Sequence, residues 1–534
     1  MNKVFSVVSA VFLAATLSHA VLEIPNAQPK MDAGYWNPVL DKTWAGMKKR
    51  MIDPYRNGFA GGQIHRPKSE YPGDAVSESV GYGMLVALYA DDQKSFNEMF
   101  DASYKSMWQG CYLDWQLLPP NGSKNSGAAT DAEEDVALAL IFADKLVNAG
   151  KWQSYAGSVP GGYLGHAQKI LDCMWSTKQI TSGGVVAPGA GWGGDSFTNV
   201  GYFSPAWYKI FADFDKNHNW KMVVDRSYEI ISKSPGYSLG MVPDWMTPNG
   251  NYAGSLGYNA YFSGKAFFKD AIRVLWRVAL DAIWFDEERA KTFLKNSLNF
   301  INSKGGASAS NFYQMNGELL PESDVWTDMM AGTITRHRRE HSQMTIGMWM
   351  TAAAAVGSVE DRAAFSEEMD KFYDKGDADY FGLAVDPSGM EEDTLHNEMY
   401  FDQFLAWFGV SLMTGVMNNV LDNIDHPKAN VVGDSSQLMK TAAVPEIPQD
   451  SVIKDPAALR LSLASKELRM DRLENGVMFS ANQPAQWIVF DLRGNEVARA
   501  NGVSMKFVSR NKGLYVVRAQ FADGSSLIRN MKLN

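Results

Sequence analysis

Between Trp36 and Met417 the chain repeats one pattern eleven or twelve times: apolar residues at helical spacing, ended by Gly, Pro or Asn. Val136-Leu140-Ala143-Val147, stopped by Gly150, is one such run, and Ile272-Leu275-Ala279-Ile283 is another. Others begin near Ser204-Pro205, Asp361 and Glu398. The regularity of the helix pairs argues against a simple bundle. A closed array of helical hairpins satisfies them. Long irregular segments at 110–130, 176–203 and 234–266 interrupt the helices and hold many of the Trp and Gly residues. Loops of that length in a compact helical unit are usually functional.

Texture changes twice more. At the N-terminus Lys3, the apolar Val4 to Leu17 and Ser18-His19-Ala20 read as a signal peptide, residues 1–20, cleaved after Ala20. The apolar stretch is shorter than the roughly 20 residues a spanning helix needs, and no later stretch is long and apolar enough to span. Residues 21–425 form the helical unit. Around 426–454, Pro427, Pro445 and Pro448 lie among small and polar residues with no periodicity, as in a linker. Residues 455–534 turn to strands: Trp487 to Val497 reads as a hairpin, Gly513 to Arg518 as a strand, and Asp523-Gly524 as a tight turn. A β-sandwich is the economical reading of this last segment.

Composition narrows the function classes. A net charge of −10 argues against binding a phosphate backbone. The 16 Trp, 21 Tyr and 27 Phe suit sugar faces as well as cores. With only Cys111 and Cys173 there is no disulfide framework; the two either pair or stay buried as thiols.

Three acidic segments carry the chemistry. Glu78 follows Ser77, a candidate N-cap, and precedes the apolar run Met84-Leu85-Ala87-Leu88; Gly81 and Gly83 would let another backbone or a sugar approach closely. A first-turn glutamate favoured by the helix dipole would look the same. Asp131 lies in Ala129-Thr130-Asp131-Ala132-Glu133-Glu134-Asp135, which a capping box or a solvated acidic turn would also explain. Asp270, Arg273 and Arg277 share one helical face, so two guanidiniums would hold the aspartate ionised, as a general base requires. Two carboxylates facing each other across a cleft are the minimum equipment for cleaving a glycosidic bond. The rival motif, His337-Arg338-Arg339-Glu340-His341, fits H-x-x-E-H. Arg336, Arg338 and Arg339 would repel a cation there, so no metal and no other cofactor is expected.

Taken in order, these segments resemble glycoside hydrolase family 8, whose members show S-E-G-x-G-Y-G-M, A-T/S-D-x-D/E and D-x-x-R-x-x-W-R. Trp192 to Tyr202 with Ser204-Pro205-Ala206-Trp207-Tyr208, and Met241-Val242-Pro243-Asp244-Trp245, extend the likeness over roughly residues 35–420. The resemblance implies an all-α (α/α)6 barrel and an inverting mechanism. It implies Glu78 as general acid, Asp270 as base and Asp131 as the aspartate that binds and distorts the sugar. Arg273 and Tyr202 would orient the base and its water, with Trp115 and Trp192 as stacking platforms. Ser79 departs from the usual Gly, Leu275 from a common Pro, and Val200-Gly201 from a frequent Pro-Ser. Gly81 before Tyr82 is more like the cellulase-type members. The last 80 residues resemble type IX secretion sorting domains, with a carbohydrate-binding module as the alternative; Trp487 is their only tryptophan.

The expectation is therefore a secreted or surface-attached endo-β-1,4-glucanase acting on cellulose-type β-glucans. Its partners would be that polysaccharide and, through the C-terminal segment, a secretion machinery; nucleic acid is not among them, and the mature chain has no membrane span. A xylanase or mixed-linkage glucanase is the alternative within the class, and a non-catalytic glycan-binding protein the alternative outside it.

Overall fold

The computed structural model describes residues 33–66, 73–253, 266–310, 312–320, 327–328, 333–334, 342–374, 379–382, 400–422, 468–473, 476–491, 496–508, 513–521 and 526–533. The expected signal peptide, the linker, the 337–341 motif and the Asp523-Gly524 turn lie outside these residues. The chain divides into two compact units at Gly433/Asp434.

The first unit contains twelve α-helices among the described residues, and they alternate in character. Six bury only part of their surface: α1 (Ala33–Met47), α3 (Gln93–Ser106), α5 (Gly162–Ser176), α7 (Trp220–Ser232), α9 (Glu288–Ser303) and α11 (Val359–Lys371). The other six are buried over most of their length: α2 (Ser77–Tyr89), α4 (Thr130–Asn148), α6 (Pro205–Phe214), α8 (Arg273–Phe285), α10 (Gln343–Val356) and α12 (Tyr400–Met413). A helix apolar all round must be covered all round. The contacts show how. α2 packs on α4, α4 on α6, α6 on α8, α8 on α10, α10 on α12, and α12 returns to α2. Outside this closed ring α3 covers α2, α5 covers α4, α7 covers α6, α9 covers α8, α11 covers α10 and α1 covers α12. This is an (α/α)6 barrel.

Aromatic residues plug the ring. Trp276 of α8 stacks on Phe408 of α12 with centroids 4.4 Å apart, and Tyr82 of α2 meets Trp276 edge-on at 6.0 Å. The interior is therefore solid, and polar chemistry is displaced to the ends of the inner helices. Close helix packing also accounts for two glycines. A Cβ on Gly81 would sit 2.8 Å from Cβ of Asp135 on α4, and one on Gly83 would sit 2.6 Å from Sδ of Met99 on α3. Of the two close approaches expected there, by another segment of the chain or by a sugar, the space at both glycines is taken by neighbouring helices. A disulfide joins Cys111, in the loop after α3, to Cys173 of α5.

The described residues of the second unit lie almost entirely in β-strands. Five strands, Leu468–Leu473, Gly476–Asp491, Glu496–Phe507, Gly513–Phe521 and Ser526–Leu533, form one antiparallel sheet. The long strand Gly476–Asp491 pairs with the first strand along its beginning and with the fourth along its end, while the third runs along its other edge. Its register with the third strand breaks between Ser480 and Ala485. Val477, Phe479, Trp487, Val489, Tyr515, Val517, Ala519 and Phe521 are buried together, as strict alternation requires of one face. The all-β expectation holds for these strands, but a sandwich needs two facing sheets, and among the described residues one sheet carries one core. Trp487 belongs to that core, its Nε1 donating to the Gly502 carbonyl at 2.8 Å.

Candidate active site

The N-terminal ends of α2, α4, α8 and α12 converge. Glu78 is the second residue of α2, Asp131 the second of α4, Arg273 the first of α8 and Tyr400 the first of α12. A short antiparallel sheet, Ala75–Val76 with Gln116–Leu118 and Ser123–Asn125, leads into α2, and the Trp115 carbonyl accepts the Ser77 N–H at 2.9 Å. Ser77 is not the cap: Val76 holds that position, and neither Val76 nor Ala129 before α4 makes a side-chain cap. The capping-box account of Asp131 is thereby removed. The solvated-turn account fails too, since Asp131, Glu133, Glu134 and Asp135 are all buried.

Arg273 organises the cluster. Its Nη1 donates to Glu78 Oε2 at 2.6 Å and to Asp131 Oδ2 at 2.8 Å, and its Nη2 donates to Asp270 Oδ1 at 3.1 Å. Nη1 also reaches the Tyr82 hydroxyl at 3.3 Å, and the Tyr202 ring faces the guanidinium at 4.9 Å. The Tyr400 hydroxyl donates to Glu78 Oε1. One cation thus faces three carboxyl groups, and the surplus of negative charge favours a proton within the cluster. Burial, and next the neighbouring Glu78, pushes the Asp131 carboxyl well up, against the opposing pull of Arg273. Accessibility grades the three side chains: Asp131 is 1% exposed, Glu78 16% and Asp270 35%.

Asp270 stands in a turn just before α8, and several groups hold that turn. Asn199 Nδ2 donates to Asp270 Oδ2 at 3.1 Å, and Arg273 Nε donates to the Asp270 carbonyl at 3.1 Å. The Ala271 N–H donates to Oδ1 of buried Asp244 at 2.8 Å. Burial, then the charge of Asp270, pushes the Asp244 carboxyl well up. Gly201 explains the departure at Val200-Gly201, because a Cβ there would lie 2.1 Å from the Asp270 carbonyl oxygen. Ser79, the other departure on the site side, bonds its hydroxyl to the Val76 carbonyl at 2.7 Å within its own helix end.

Arg277 does something other than expected. It is fully buried one turn deeper and forks onto Asp135, with Nη2 to Oδ2 at 2.9 Å and Nη1 to Oδ1. Trp207 Nε1 donates to the same Asp135 at 2.8 Å. Arg277 therefore ties α8 to α4 and makes no contact with Asp270. Beside it, Glu134 accepts the Ser204 and Tyr208 hydroxyls, both at 2.7 Å, and Glu133 accepts the Leu113 N–H at 2.9 Å. Burial pushes both glutamates up to about 8.

The two expected platforms differ. Trp192 is 46% exposed, its ring resting on Trp245 at 5.4 Å and Phe197 at 5.5 Å. Its loop reaches the cluster, since the Pro188 carbonyl accepts the Thr130 N–H at the start of α4. Trp115 is half-buried and packs against the core, with its carbonyl at the start of α2. Asn199, Asp244 and Tyr400 were not foreseen as site residues, although Asn199 and Asp244 lay within segments already singled out, Trp192 to Tyr202 and Met241 to Trp245.

Two other features carry no comparable chemistry. Asp172, Asp215 and His218 lie close enough to hold a cation. Yet Asp215 already accepts from Gln168, Asn217, His218 and Trp220, so its oxygens are taken. A cavity of about 610 Å³ beside α7 is lined by charges that pair with one another, Lys221 with Asp225 and Arg226 with Glu229.

An (α/α)6 barrel whose inner helices bring acidic side chains onto one buried arginine defines a carboxylate-based glycosidase scaffold. The chain belongs to glycosyl hydrolases family 8, whose sequence pattern matches residues 32–337. It is 33% identical over 294 residues to Endoglucanase 2 of Ruminiclostridium josui, covering 54% of this chain and 60% of that protein. It is 34% identical over 257 residues to Endoglucanase C of Ruminiclostridium cellulolyticum, covering 48% and 53%. The matched stretches are thus under two thirds of these relatives' lengths. Among solved structures, a mutant of a reducing-end-xylose releasing exo-oligoxylanase superposes with a TM-score of 0.53 at 19% identity, covering 72% of this chain and 94% of that one. At that identity the likeness speaks for the fold.

Proposed function

We propose that the protein is an inverting endo-β-1,4-glucanase that cleaves cellulose-type β-glucans by general acid and base catalysis. The observation that carries this reading is the single guanidinium of Arg273 holding three carboxyl groups of graded accessibility. Asp270, the most open, activates water. Glu78, on the other nitrogen and in contact with the Tyr400 hydroxyl, delivers a proton to the leaving oxygen. An inverting enzyme separates such a pair by about 6.5–9.5 Å, leaving room for the water. Asp131, buried and favouring its protonated form, contacts and distorts the sugar at the cleavage point, with Tyr202 beside it and Trp192 and Trp115 as sugar platforms.

The names of the relatives support β-glucan as substrate. Three endoglucanases match at 33–34% identity and a β-glucanase and a probable endoglucanase at 26–28%, the range in which the exo-oligoxylanases of Paenibacillus barcinonensis and Halalkalibacterium halodurans also match. The exo-oligoxylanase matches make xylan the second reading. The test is product analysis on carboxymethylcellulose, lichenan, xylan and chitosan, with the anomer of the fresh product read by NMR. Cleavage of the first two to the inverted anomer is expected. A retained anomer removes the Asp270 role, and cleavage of xylan alone removes the substrate.

Export completes the proposal. Residues 1–20 act as a signal peptide, and the β unit as a sorting domain for type IX export, to the medium or the cell surface. The burial of Trp487 supports sorting over glycan binding, because that ring offers no platform. Deletion of 455–534 is expected to leave hydrolysis intact and abolish export; secretion of the truncated chain would overturn the assignment.

A further inference from the structure

We infer that Asn199 is a positioning residue for Asp270, and that the site depends on its side-chain N–H rather than on its part in the local turn. The inference rests on the reading of Asp270 as the base. Asn199 is fully buried, and both polar atoms of its side chain are engaged at the mouth of the barrel. Its Oδ1 accepts the Gly201 N–H at 2.9 Å, which caps the short 3-10 turn Val200–Tyr202. Its Nδ2 donates to Asp270 Oδ2 at 3.1 Å. An asparagine needed only for the turn would use the first bond alone.

The second bond matters because of what Asp270 would otherwise be. A carboxylate more than a third exposed ordinarily samples several rotamers, and fixing it costs conformational entropy. Here each oxygen has its own buried donor: Arg273 Nη2 takes Oδ1 and Asn199 Nδ2 takes Oδ2. Rotation of the carboxylate plane breaks at least one of these bonds. The backbone beneath is held as well, through Asp244 at the Ala271 N–H, Arg273 at the Asp270 carbonyl, and the bare Cα of Gly201 under that carbonyl. The carboxylate is thus open to water and still unable to turn. A base must meet its water at a defined angle, and a misplacement of about 1 Å can cost about 100-fold in rate. Arg273 already serves Glu78 and Asp131, so among the described residues Asn199 is the donor at this cluster whose side chain serves Asp270 and no other carboxylate.

Two substitutions separate the bonds. In Asn199→Ser the hydroxyl can still accept the Gly201 N–H but is too short to reach Asp270, and no charge is added. In Asn199→Asp the turn cap is kept at nearly full size and the donor is lost. Steady-state kinetics on the best-cleaved polysaccharide of the panel above are expected to show kcat lowered about 10- to 100-fold in both, with KM within about twofold of the parent. Wild-type kcat in either folded variant, or a change confined to KM, overturns the inference. Asp270→Asn is measured in parallel. If Asp270→Asn is inactive and the Asn199 variants turn over normally, only the positioning role falls. If Asp270→Asn keeps wild-type turnover, the base reading falls and the inference with it.

Discussion

Glu78 and Asp131 share one nitrogen: Nη1 of Arg273 lies 2.6 Å from the first and 2.8 Å from the second. Burial, and next the neighbouring Glu78, pushes Asp131 toward its protonated form on that shared nitrogen. The planar guanidinium alone can serve both while its second nitrogen reaches Asp270.

Arg273→Lys tests that geometry. A lysine keeps the charge but places it at one point, which cannot span three carboxyl groups on two nitrogens. The expected result is a fall in kcat of at least about 100-fold with KM changed far less, read by steady-state kinetics on the best-cleaved polysaccharide. Near-normal turnover would show that charge, not the fork, is what the cluster requires.

Asp135→Ala tests the deeper pair. It strands the buried guanidinium of Arg277, and removing one partner of such a pair costs about 3–5 kcal/mol. Denaturant unfolding should show that loss, while the kcat of the folded fraction stays within about threefold of the parent, since neither residue touches Asp270. A kcat loss comparable with that of Arg273→Lys would return Arg277 to the catalytic machinery.

Glu133 and Glu134 give the barrel a pH dependence opposite to the common one. Burial raises each to about 8, above the ordinary glutamate value of 4.5. A carboxyl whose folded value is raised stabilises the fold fully below its unfolded value. That contribution is lost as pH climbs through the folded value. Thermal stability is therefore expected to decline between about pH 5 and pH 8 in proportion to these groups. Glu133→Gln, which cannot ionise and still accepts the Leu113 N–H, should unfold near the parent temperature at pH 5 and above it at pH 8.5 in calorimetry. Parallel curves for the two proteins would refute the assignment.

Trp192→Ala separates binding from folding. The ring is nearly half exposed, so stability should stay within about 0.5 kcal/mol of the parent. A lost aromatic contact of about 0.5–1.5 kcal/mol should raise KM roughly two- to tenfold with kcat nearly unchanged. An unchanged KM on long and short substrates alike would remove Trp192 from the binding path.

The sequence made the ring of helices visible because apolar runs of helical length are punctuated by Gly, Pro or Asn, and the acidic motifs mark where inner helices begin. It misled where a boundary mattered. Asp270, Arg273 and Arg277 share a face only if the helix includes all three. It begins at Arg273, so the aspartate sits in a turn and Arg277 points to Asp135 instead. Ser77 was one position from the true cap for the same reason. Asn199 and Asp244 lay in segments already singled out but, like Tyr400, carried no assigned role, because irregular loops and the last inner helix bring them to the cluster from far along the chain and no local pattern encodes such a meeting. In the β unit, alternation revealed a buried face but could not say whether one sheet or two enclosed it.

The hydrogen bond between Tyr400 and Glu78 joins residues 322 positions apart. The first inner helix meets the last one only after nearly the whole barrel has been synthesised. A nascent or truncated chain ending before Tyr400 carries every acidic residue of the cluster and still lacks the contact that closes it. The carboxylate cluster is thus fully bonded only once the two ends of the barrel's chain have met.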